Sequence, residues 1–407
     1  FAPYVIDTDA PEPDDCANEI QDGPPLNMTR LFATISLLAL LSACDEPQPF
    51  TFGGGDETEE NLDETDPNVI ADSKFAFDAS RGLTMNSVEY DAANDELIIN
   101  NLPFDGPAGR YINQRSFGGG DIYESIQTPT TGIVKHYAVF VRSDHIQATA
   151  AAGADWGDYG YGGANITRDG FTLPDGGEYV FVGDYVGVRT FEEQSGLEFV
   201  SGDVVVILDI LDFDPVEGIQ GAITGSIGNR NIETPDGRAV YGATPVSLEV
   251  VSFNTEDGVF DGGVASSNFA DGSNGAMSGT YEGFLAGDNA SEIGANVVIQ
   301  GAAYSQNIQY EVVSYTVTRP EEQVINPFTG VVTTIPASTT EGQVSALTAD
   351  ARDDVQDDVD AGIFVPTLTV QPSDLPADAV VVRTEVENEL VISDDNVREI
   401  GVVVAAQ

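Results

Sequence analysis

The chain from Lys74 onward is dominated by short stretches in which apolar and polar residues alternate. The stretch SVEYDAANDELIINNLPF alternates on both sides of Ala93-Asn94-Asp95, residues typical of turns, and this pattern predicts a β-hairpin. Similar stretches, such as GIVKHYAVFVRSD and GEYVFVGDYVGVRTF, follow at short intervals and are separated by Gly, Asp, Asn and Pro. Many short strands with evenly spaced turns predict an antiparallel meander that closes into a barrel. We therefore expect an all-β fold.

Helical periodicity is rare along the chain. The best helical stretches are 143–154 and 345–362, and neither has a clean apolar stripe. The second contains DARDDVQDDVDAG, whose acids could gather Ca²⁺, but it lacks the glycine and the final glutamate of an EF-hand loop. We therefore interpret 350–362 as a solvated acidic linker.

The chain changes character after Pro320. A Pro- and Thr-rich stretch is followed by the acidic run and then by three β-like segments, FVPTLTV, AVVVRTEVENELVI and EIGVVVAAQ. Two interpretations stay open for these segments: a small β appendage, or strands that return to the main sheet. Residues 320–407 are thus expected to be a linker plus a β-rich extension.

Residues 28–44, MTRLFATISLLALLSAC, resemble a bacterial secretion signal. A short n-region with one arginine precedes the apolar h-region Leu31–Leu41, which is too short to span a bilayer. The ending Leu-Ser-Ala-Cys resembles the lipobox of bacterial lipoproteins, in which the signal is cut before a cysteine that carries lipid. The resemblance implies cleavage between Ala43 and Cys44 and lipid attachment at Cys44. The alternative is a buried apolar segment with a chance cysteine.

This signal divides the first part of the chain. Residues 1–27 lie on the wrong side of it and are expected to be an over-extended reading frame, so that 28–43 would be the signal peptide. Residues 44–73 hold the lipidated cysteine and an acidic stretch with Pro and Gly, which is expected to be a flexible tether. The lipid implies the outer membrane or the cell surface, whereas Asp45 resembles a signal for retention in the inner membrane.

The composition narrows the choice of partners. The 407 residues include 68 acidic and 15 basic residues, which gives a formal net charge of −53. Such a charge repels nucleic acid and anionic membrane surfaces, so we expect no nucleic-acid partner and membrane contact through the lipid anchor alone. The hydrophobic content of 41% is high enough for a sizeable core and excludes a disordered acidic tail.

Two stretches of the predicted barrel resemble the transferrin-binding protein B family. The first is ILDILDFDPVEGIQGAITGSI, and at the matching positions it carries Asp212, Phe213, Asp214, Gly221 and Gly225. The second is MSGTYEGFLAGDNASEIGANVVI, and its matching residues are Gly283, Phe284, Gly287, Ala290, Glu292, Ile293 and Gly294. The resemblance implies a handle-like β region at 74–169 and an eight-stranded antiparallel β-barrel at 170–319, with 310–319 in the place of the closing strand.

The second stretch also has a physical interpretation that needs no family. Gly279, Gly283 and Gly287 are spaced by four, so a strand places them on one face, where missing side chains relieve crowding in a bent barrel strand. Three roles stay open for Glu292. It accepts hydrogen bonds from the turn after GDNA, it is a solvated surface residue, or it contacts a ligand.

The sequence offers no catalytic constellation. His136 and His145 are the only histidines, and we interpret them as chance surface residues rather than metal ligands. The sequence lacks a Gly-x-Ser-x-Gly elbow, a phosphate-binding loop and a His-Glu-x-x-His motif. Two FGGGD segments, 52–56 and 117–121, lack the nonapeptide period of calcium-binding repeats. We therefore expect a protein that is not an enzyme and has no metal or cofactor.

The stretch DWGDYGYGG is the candidate loop for ligand contact, because exposed aromatic residues in a Gly-rich loop are typical of recognition surfaces. Its aromatic residues are Trp156, Tyr159 and Tyr161. In the alternative interpretation, Trp156 fills the seam between handle and barrel. The sequence thus predicts a non-catalytic surface lipoprotein that binds an extracellular protein or nutrient ligand. The rivals are a structural envelope lipoprotein without a ligand and, with less support, a secreted hydrolase.

Overall fold

The computed structural model describes residues 72–102, 109–126, 135–153, 157–174, 176–210, 221–361 and 367–407. Nearly all of the regular structure in these ranges is antiparallel β-strand. Within them, the exceptions are one α-helix and one 3-10 turn at Ala79–Arg81. The all-β fold class predicted from the alternating pattern is therefore confirmed.

The first eight strands form one curled sheet, which we call the handle. They are β1 (Ser73–Ala76), β2 (Ser87–Asp91), β3 (Glu96–Asn100), β4 (Gly109–Phe117), β5 (Gly120–Ser125), β6 (His136–Arg142), β7 (Ile146–Gly153) and β8 (Tyr161–Arg168). Their order is β1-β8-β7-β6-β5-β4-β3-β2. The predicted hairpin is confirmed as β2 and β3, and Asp95 in its turn has a φ of 54°, a left-handed conformation in which Asp and Asn are enriched.

The stretch 143–154 does not form the helix that its alanines favoured; most of it is β7. Alanine has the highest intrinsic helix propensity, but propensity is a weak preference that tertiary packing overrides. Ala148, Ala150 and Ala152 are fully buried in the apolar layer against the barrel, whereas Ala151 faces the core of the handle. Small side chains on this strand therefore let two layers approach each other closely.

Eight more strands follow and build most of the barrel. They are β9 (Gly177–Phe191), β10 (Leu197–Ile210), β11 (Gly221–Glu233), β12 (Ala239–Ala243), β13 (Val246–Ser252), β14 (Val259–Asn268), β15 (Asn274–Ala286) and β16 (Glu292–Ala302). Consecutive strands pair from β9 to β11 and from β13 to β16, and β11 pairs with β13. The short β12 pairs only with the end of β11.

The chain then leaves the barrel to form a separate three-stranded sheet, which we call the arm (residues 305–392). Its elements are β17 (Ser305–Arg319), β18 (Glu322–Ile325), β19 (Val332–Ile335), β20 (Ser338–Leu347), α1 (Ala349–Ala361) and β21 (Val380–Ile392). The central strand β17 pairs with β20 and β21, and β18 pairs with β19 to form a terminal hairpin.

The acidic stretch 350–362 lies mostly within helix α1, so its interpretation as a linker is corrected. Ala351 and Val355 of this helix pack with Ile308 and Tyr310 near the base of the arm. This small apolar contact supplies the burial that a charged helix needs, because isolated helices of this length are marginal in water.

Strand β22 (Asn396–Ala406) returns to the barrel and closes it between β9 and β16. The closed barrel thus has eight strands, as expected, in the order β9-β10-β11-β13-β14-β15-β16-β22. The predicted barrel boundary of 170–319 is wrong at its end, because 310–319 belongs to the arm. The last of the β-like segments after Pro320 is the one that returns to the main sheet.

Side chains fill the barrel and also join it to the handle. The interior cluster includes Phe181, Phe260 and Tyr281, as expected because eight strands leave room for little more than side chains. A second cluster, which we call the seam, lies between the two sheets. Its handle members include Ala150, and its barrel members include Ile400.

Candidate functional site

Several residues singled out in the sequence lie outside the described residues. They are Ala43, Cys44, Trp156, Asp212, Phe213 and Asp214, together with the segment 52–56. The lipid site, the Asp-Phe-Asp motif and the tryptophan of the candidate loop therefore stay predictions. The remaining candidate residues occupy the barrel, the seam and the handle.

Glu292 joins the barrel to the handle. It is 5% exposed, and its carboxylate accepts hydrogen bonds from the Ser143 hydroxyl and from the backbone N–H of His145, the latter at 3.1 Å. Both donors lie in the turn between β6 and β7 of the handle. Of the three roles left open for Glu292, the contacts therefore agree best with capping of a turn. The capped turn belongs to the handle, however, and not to the hairpin that contains Glu292.

The glycines of the same motif are sites of close backbone approach. A Cβ atom added at Gly283 would lie 2.0 Å from the carbonyl oxygen of Gly294 on the neighbouring strand, and Gly287 has a φ of 74°. Gly221, at the start of β11, would place its Cβ 2.0 Å from the ring of Phe253. Gly283 agrees with the structural role expected from the four-residue spacing, whereas Gly287 lies beyond the end of β15 and its left-handed φ favours glycine.

Tyr159 of the candidate ligand loop lies at the seam. The guanidinium of Arg398 donates to the backbone oxygens of Tyr159 and Gly160 at 3.1 and 2.8 Å, and its Cζ lies 5.7 Å from the centroid of the Tyr159 ring. Burial lowers the pKa of Arg398 to about 10, so the side chain stays cationic near neutral pH. Tyr161, at the start of β8, is 37% exposed. The described part of the loop is thus held by the barrel, whereas the seam alternative concerned Trp156, which lies outside the described residues.

A buried ion network crosses one part of the barrel interior, and the sequence reasoning missed it. Glu399 is fully buried and accepts hydrogen bonds from Arg230 and from the hydroxyl of Tyr185, the latter at 2.7 Å. Arg189 donates to Glu198 at 2.8 Å, and its Nε lies 3.5 Å from Glu399. Two cations and two anions balance here, so the network leaves no net charge for a ligand. The signal in the sequence that could have indicated this network was the presence of arginines within predicted strands of a chain that has few basic residues.

The two histidines take different places. His136 is 4% exposed on β6, which corrects its interpretation as a surface residue, whereas His145 lies in a turn with its Nδ1 3.2 Å from the backbone oxygen of Asp169.

The segment 117–121 is the tight turn between β4 and β5, with Gly118 at a φ of 56°. In the described ranges, no three His, Cys, Asp or Glu side chains converge as a metal site would require.

One face of the arm sheet is rich in apolar residues, and no other element of the described chain packs on it to form a core. Residues paired across an antiparallel sheet share a face. Besides Glu311, Thr340, Gly342, Ala346 and Thr384, the pairing therefore places six large apolar residues on one face, namely Val313, Tyr315, Val317, Val344, Val381 and Val386. Val381 and Val386 are 49% and 60% exposed, and the others are half-buried. The opposite face is the one that α1 covers at the base.

The apolar character continues to the end of the arm. The β18–β19 hairpin exposes Val324, Ile325, Val331, Val332 and Ile335, and Phe328 in its loop is 95% exposed. Monomeric soluble proteins rarely expose contiguous apolar surface of this kind, and such surface marks interaction sites. The arm face, defined as the six residues above, is therefore the candidate functional site.

A comparison with models of known protein families finds no match, and a search of curated proteins finds none either. In the described part of the chain, no helix has the length and apolar character needed to cross a membrane. The function is therefore argued from the arm face and the charge around it.

Proposed function

We propose that this chain is a non-catalytic binding protein of the bacterial cell envelope that recognises a basic extracellular protein through the arm face. The observation that carries the proposal is the uncovered apolar face of a sheet that projects as a separate element from the barrel. The lipid anchor at Cys44, on the outer membrane or cell surface, rests on the sequence motif alone.

The charge of the arm defines the chemistry of its partner. Residues 305–392 include 15 acidic and three basic residues. A second copy of the chain would bring two strongly negative surfaces together, whereas a basic protein would be attracted and steered toward the face. The partner is therefore expected to carry an apolar patch with lysine or arginine around it.

The partner is expected to pack on the face and not to add a strand. β21 is an edge strand, but its pairing with β17 shifts between Ser314 and Tyr315, and its charges include Arg383, Glu385 and Glu387. Bulges and charges on an edge strand oppose pairing with another chain. The side chains of the face remain available, and complete burial of one valine contributes about 1.5–3 kcal/mol.

Pull-down from the native medium with the full chain tests this proposal, and neighbouring residues of β17 provide a matched control. Val313 lies on the arm face, and Val312 lies on the opposite face; both are half-buried. We expect Val313→Glu to lower the affinity for a captured basic protein by at least about tenfold, equivalent to about 1.4 kcal/mol, and Val312→Glu to retain it.

Three outcomes would contradict the proposal. Equal retention by both variants would remove the arm face from recognition. Capture of nothing except basic proteins that moderate salt releases would favour a structural envelope protein without a ligand. Substrate turnover by the purified chain would favour a hydrolase.

A further inference from the structure

The handle contains a small polar pocket that is separate from the arm. It has a volume of about 270 Å³ and lies where the β2–β3 turn, the β4–β5 turn and the end of β6 meet. Its lining residues are Tyr90, Asp95, Gly119, Gly120, Asp121, Tyr123, Phe140, Val141 and Arg142. Pockets for drug-sized ligands start near about 300 Å³, so this one suits a smaller molecule.

Asp95 and three donors hold one wall of the pocket in place. The hydroxyls of Tyr123 and Tyr90 donate to one carboxylate oxygen of Asp95 at 2.7 and 3.1 Å, and Asn113 donates to the other at 2.9 Å. The ring of Phe140 lies 4.8 Å from that of Tyr90 and 6.0 Å from that of Tyr123, measured between centroids. Chiefly the hydrogen bond from Tyr123 holds the pKa of Asp95 below its usual value, so this carboxylate is charged.

Arg142 lines the same pocket and has guanidinium N–H donors that no group of the described chain accepts. Its Cζ lies 5.2 Å from the centroid of the Tyr90 ring, and within the described ranges its guanidinium donates no hydrogen bond and forms no ion pair. Arg168 and Arg230, by contrast, each bind both a carboxylate and a backbone carbonyl. The N–H donors of the Arg142 guanidinium are therefore available to a ligand in the pocket.

Asp121 supplies an opposite charge on the β4–β5 side. One of its carboxylate oxygens accepts from the Ser116 hydroxyl at 2.8 Å, and in the described chain the other accepts no side-chain hydrogen bond. The turn that carries Asp121 is pressed against the barrel, since a Cβ added at Gly119 would lie 2.0 Å from Cγ of Asp184. The two carboxylates of the pocket are therefore held in place before any ligand arrives.

We propose that this pocket binds a small zwitterion of the α-amino acid class. Arg142 receives the ligand carboxylate in the two-bond geometry typical of guanidinium and carboxylate, Asp121 and Asp95 receive the ammonium group, and the aromatic rings contact the carbon skeleton. A simple anion fits poorly because two carboxylates face it. A metal ion fits poorly because only two of the lining side chains are carboxylates and none is histidine or cysteine.

The test uses the purified full chain and the twenty common L-amino acids as probes. Thermal shift identifies any that stabilise the chain, and isothermal titration calorimetry measures their affinity. For each amino acid that binds, the N-acetylated form and the decarboxylated amine are titrated as well. We expect both analogues to bind at least about tenfold more weakly, because each leaves one charge of the pocket unpaired.

Variants then locate the site. We expect Arg142→Gln and Asp121→Asn each to weaken binding at least about tenfold without changing the thermal unfolding of the ligand-free chain. Arg110→Gln is the matched control, since Arg110 lies on β4 and pairs with Glu96, and it should bind like the wild type. The proposal is wrong if none of the twenty amino acids binds, if the N-acetylated form binds equally well, or if Arg142→Gln leaves the affinity unchanged.

Discussion

Glu399 is expected to be the most sensitive single position in the barrel. It is fully buried, and it accepts hydrogen bonds from Arg230 through both carboxylate oxygens and from Tyr185. Arg189 is 3.5 Å away and has a second carboxylate partner in Glu198. Glu399→Gln keeps the shape of the side chain but leaves the interior with two cations and one anion.

The expected cost follows from burial of an unbalanced charge. Removing one partner of a buried ion pair typically costs about 3–5 kcal/mol, because the remaining charge is kept from water. For a chain of this size, that corresponds to a drop of about 4–6 °C in Tm. Native proteins are stable by only about 5–15 kcal/mol, so the expected cost lies between about a fifth and all of the original stability.

Thermal and urea unfolding of the full chain, followed by far-UV circular dichroism, measures this change. Glu385→Gln is the control, because Glu385 pairs with Arg383 on the exposed arm and its loss should cost less than about 1 kcal/mol. The double variant Glu399→Leu with Arg230→Met removes both partners and should be more stable than Glu399→Gln. A cost below about 0.5 kcal/mol for Glu399→Gln would refute the reasoning, as would a double variant less stable than the single one.

Three further predictions concern other parts of the chain. Metabolic labelling with a palmitate analogue should mark the wild type and not Cys44→Ser, and equal labelling of both would exclude lipid at this cysteine. Deletion of residues 396–407 should abolish cooperative unfolding and promote binding of a hydrophobic dye, because it opens the barrel and leaves β9 and β16 as bare edges. The stability gap between wild type and Asp95→Asn should narrow as the pH falls below about 3.8. The pKa of Asp95 is lower in the folded chain than in the unfolded chain, so its carboxylate stabilises the fold above the unfolded-state pKa, and this stabilisation is lost as the pH falls through the folded-state pKa. A gap that stays constant with pH would contradict this prediction.

The local alternation of apolar and polar residues was enough to predict the strands and the barrel, but not the strand that closes it. β22 is buried on both faces, since one faces the barrel interior and the other the seam. A strand of this kind has a nearly continuous apolar sequence, as in IGVVVAA, and so lacks the period of two. Its partners β9 and β16 lie far away in sequence, and local patterns do not specify long-range pairing.

The candidate sites were less predictable for a related reason. The motif around Glu292 left three roles open, and only the packed handle shows that Glu292 caps a turn and which turn it caps. The period of two at Val313, Tyr315 and Val317 was present in the sequence, yet it looks the same in a strand that covers a core. An apolar face is exposed when no other part of the folded chain packs on it. Exposure is therefore a property of the complete fold and cannot be predicted from one stretch of the sequence.

Adjacent residues of β22 show how this acidic chain uses its few cations. Arg398 points to the handle and donates to three backbone oxygens, of Arg81, Tyr159 and Gly160, while Glu399 points into the barrel. Arg189, Arg230 and Arg398 are each at most 2% exposed, so three of the 15 basic residues lie in the interior. Because buried Glu198 and Glu399 balance Arg189 and Arg230, the exposed residues keep the strongly acidic character of the composition. An uncovered apolar face within such a surface selects partners by charge as well as by shape, and for this reason a basic protein fits the arm better than a second copy of the chain.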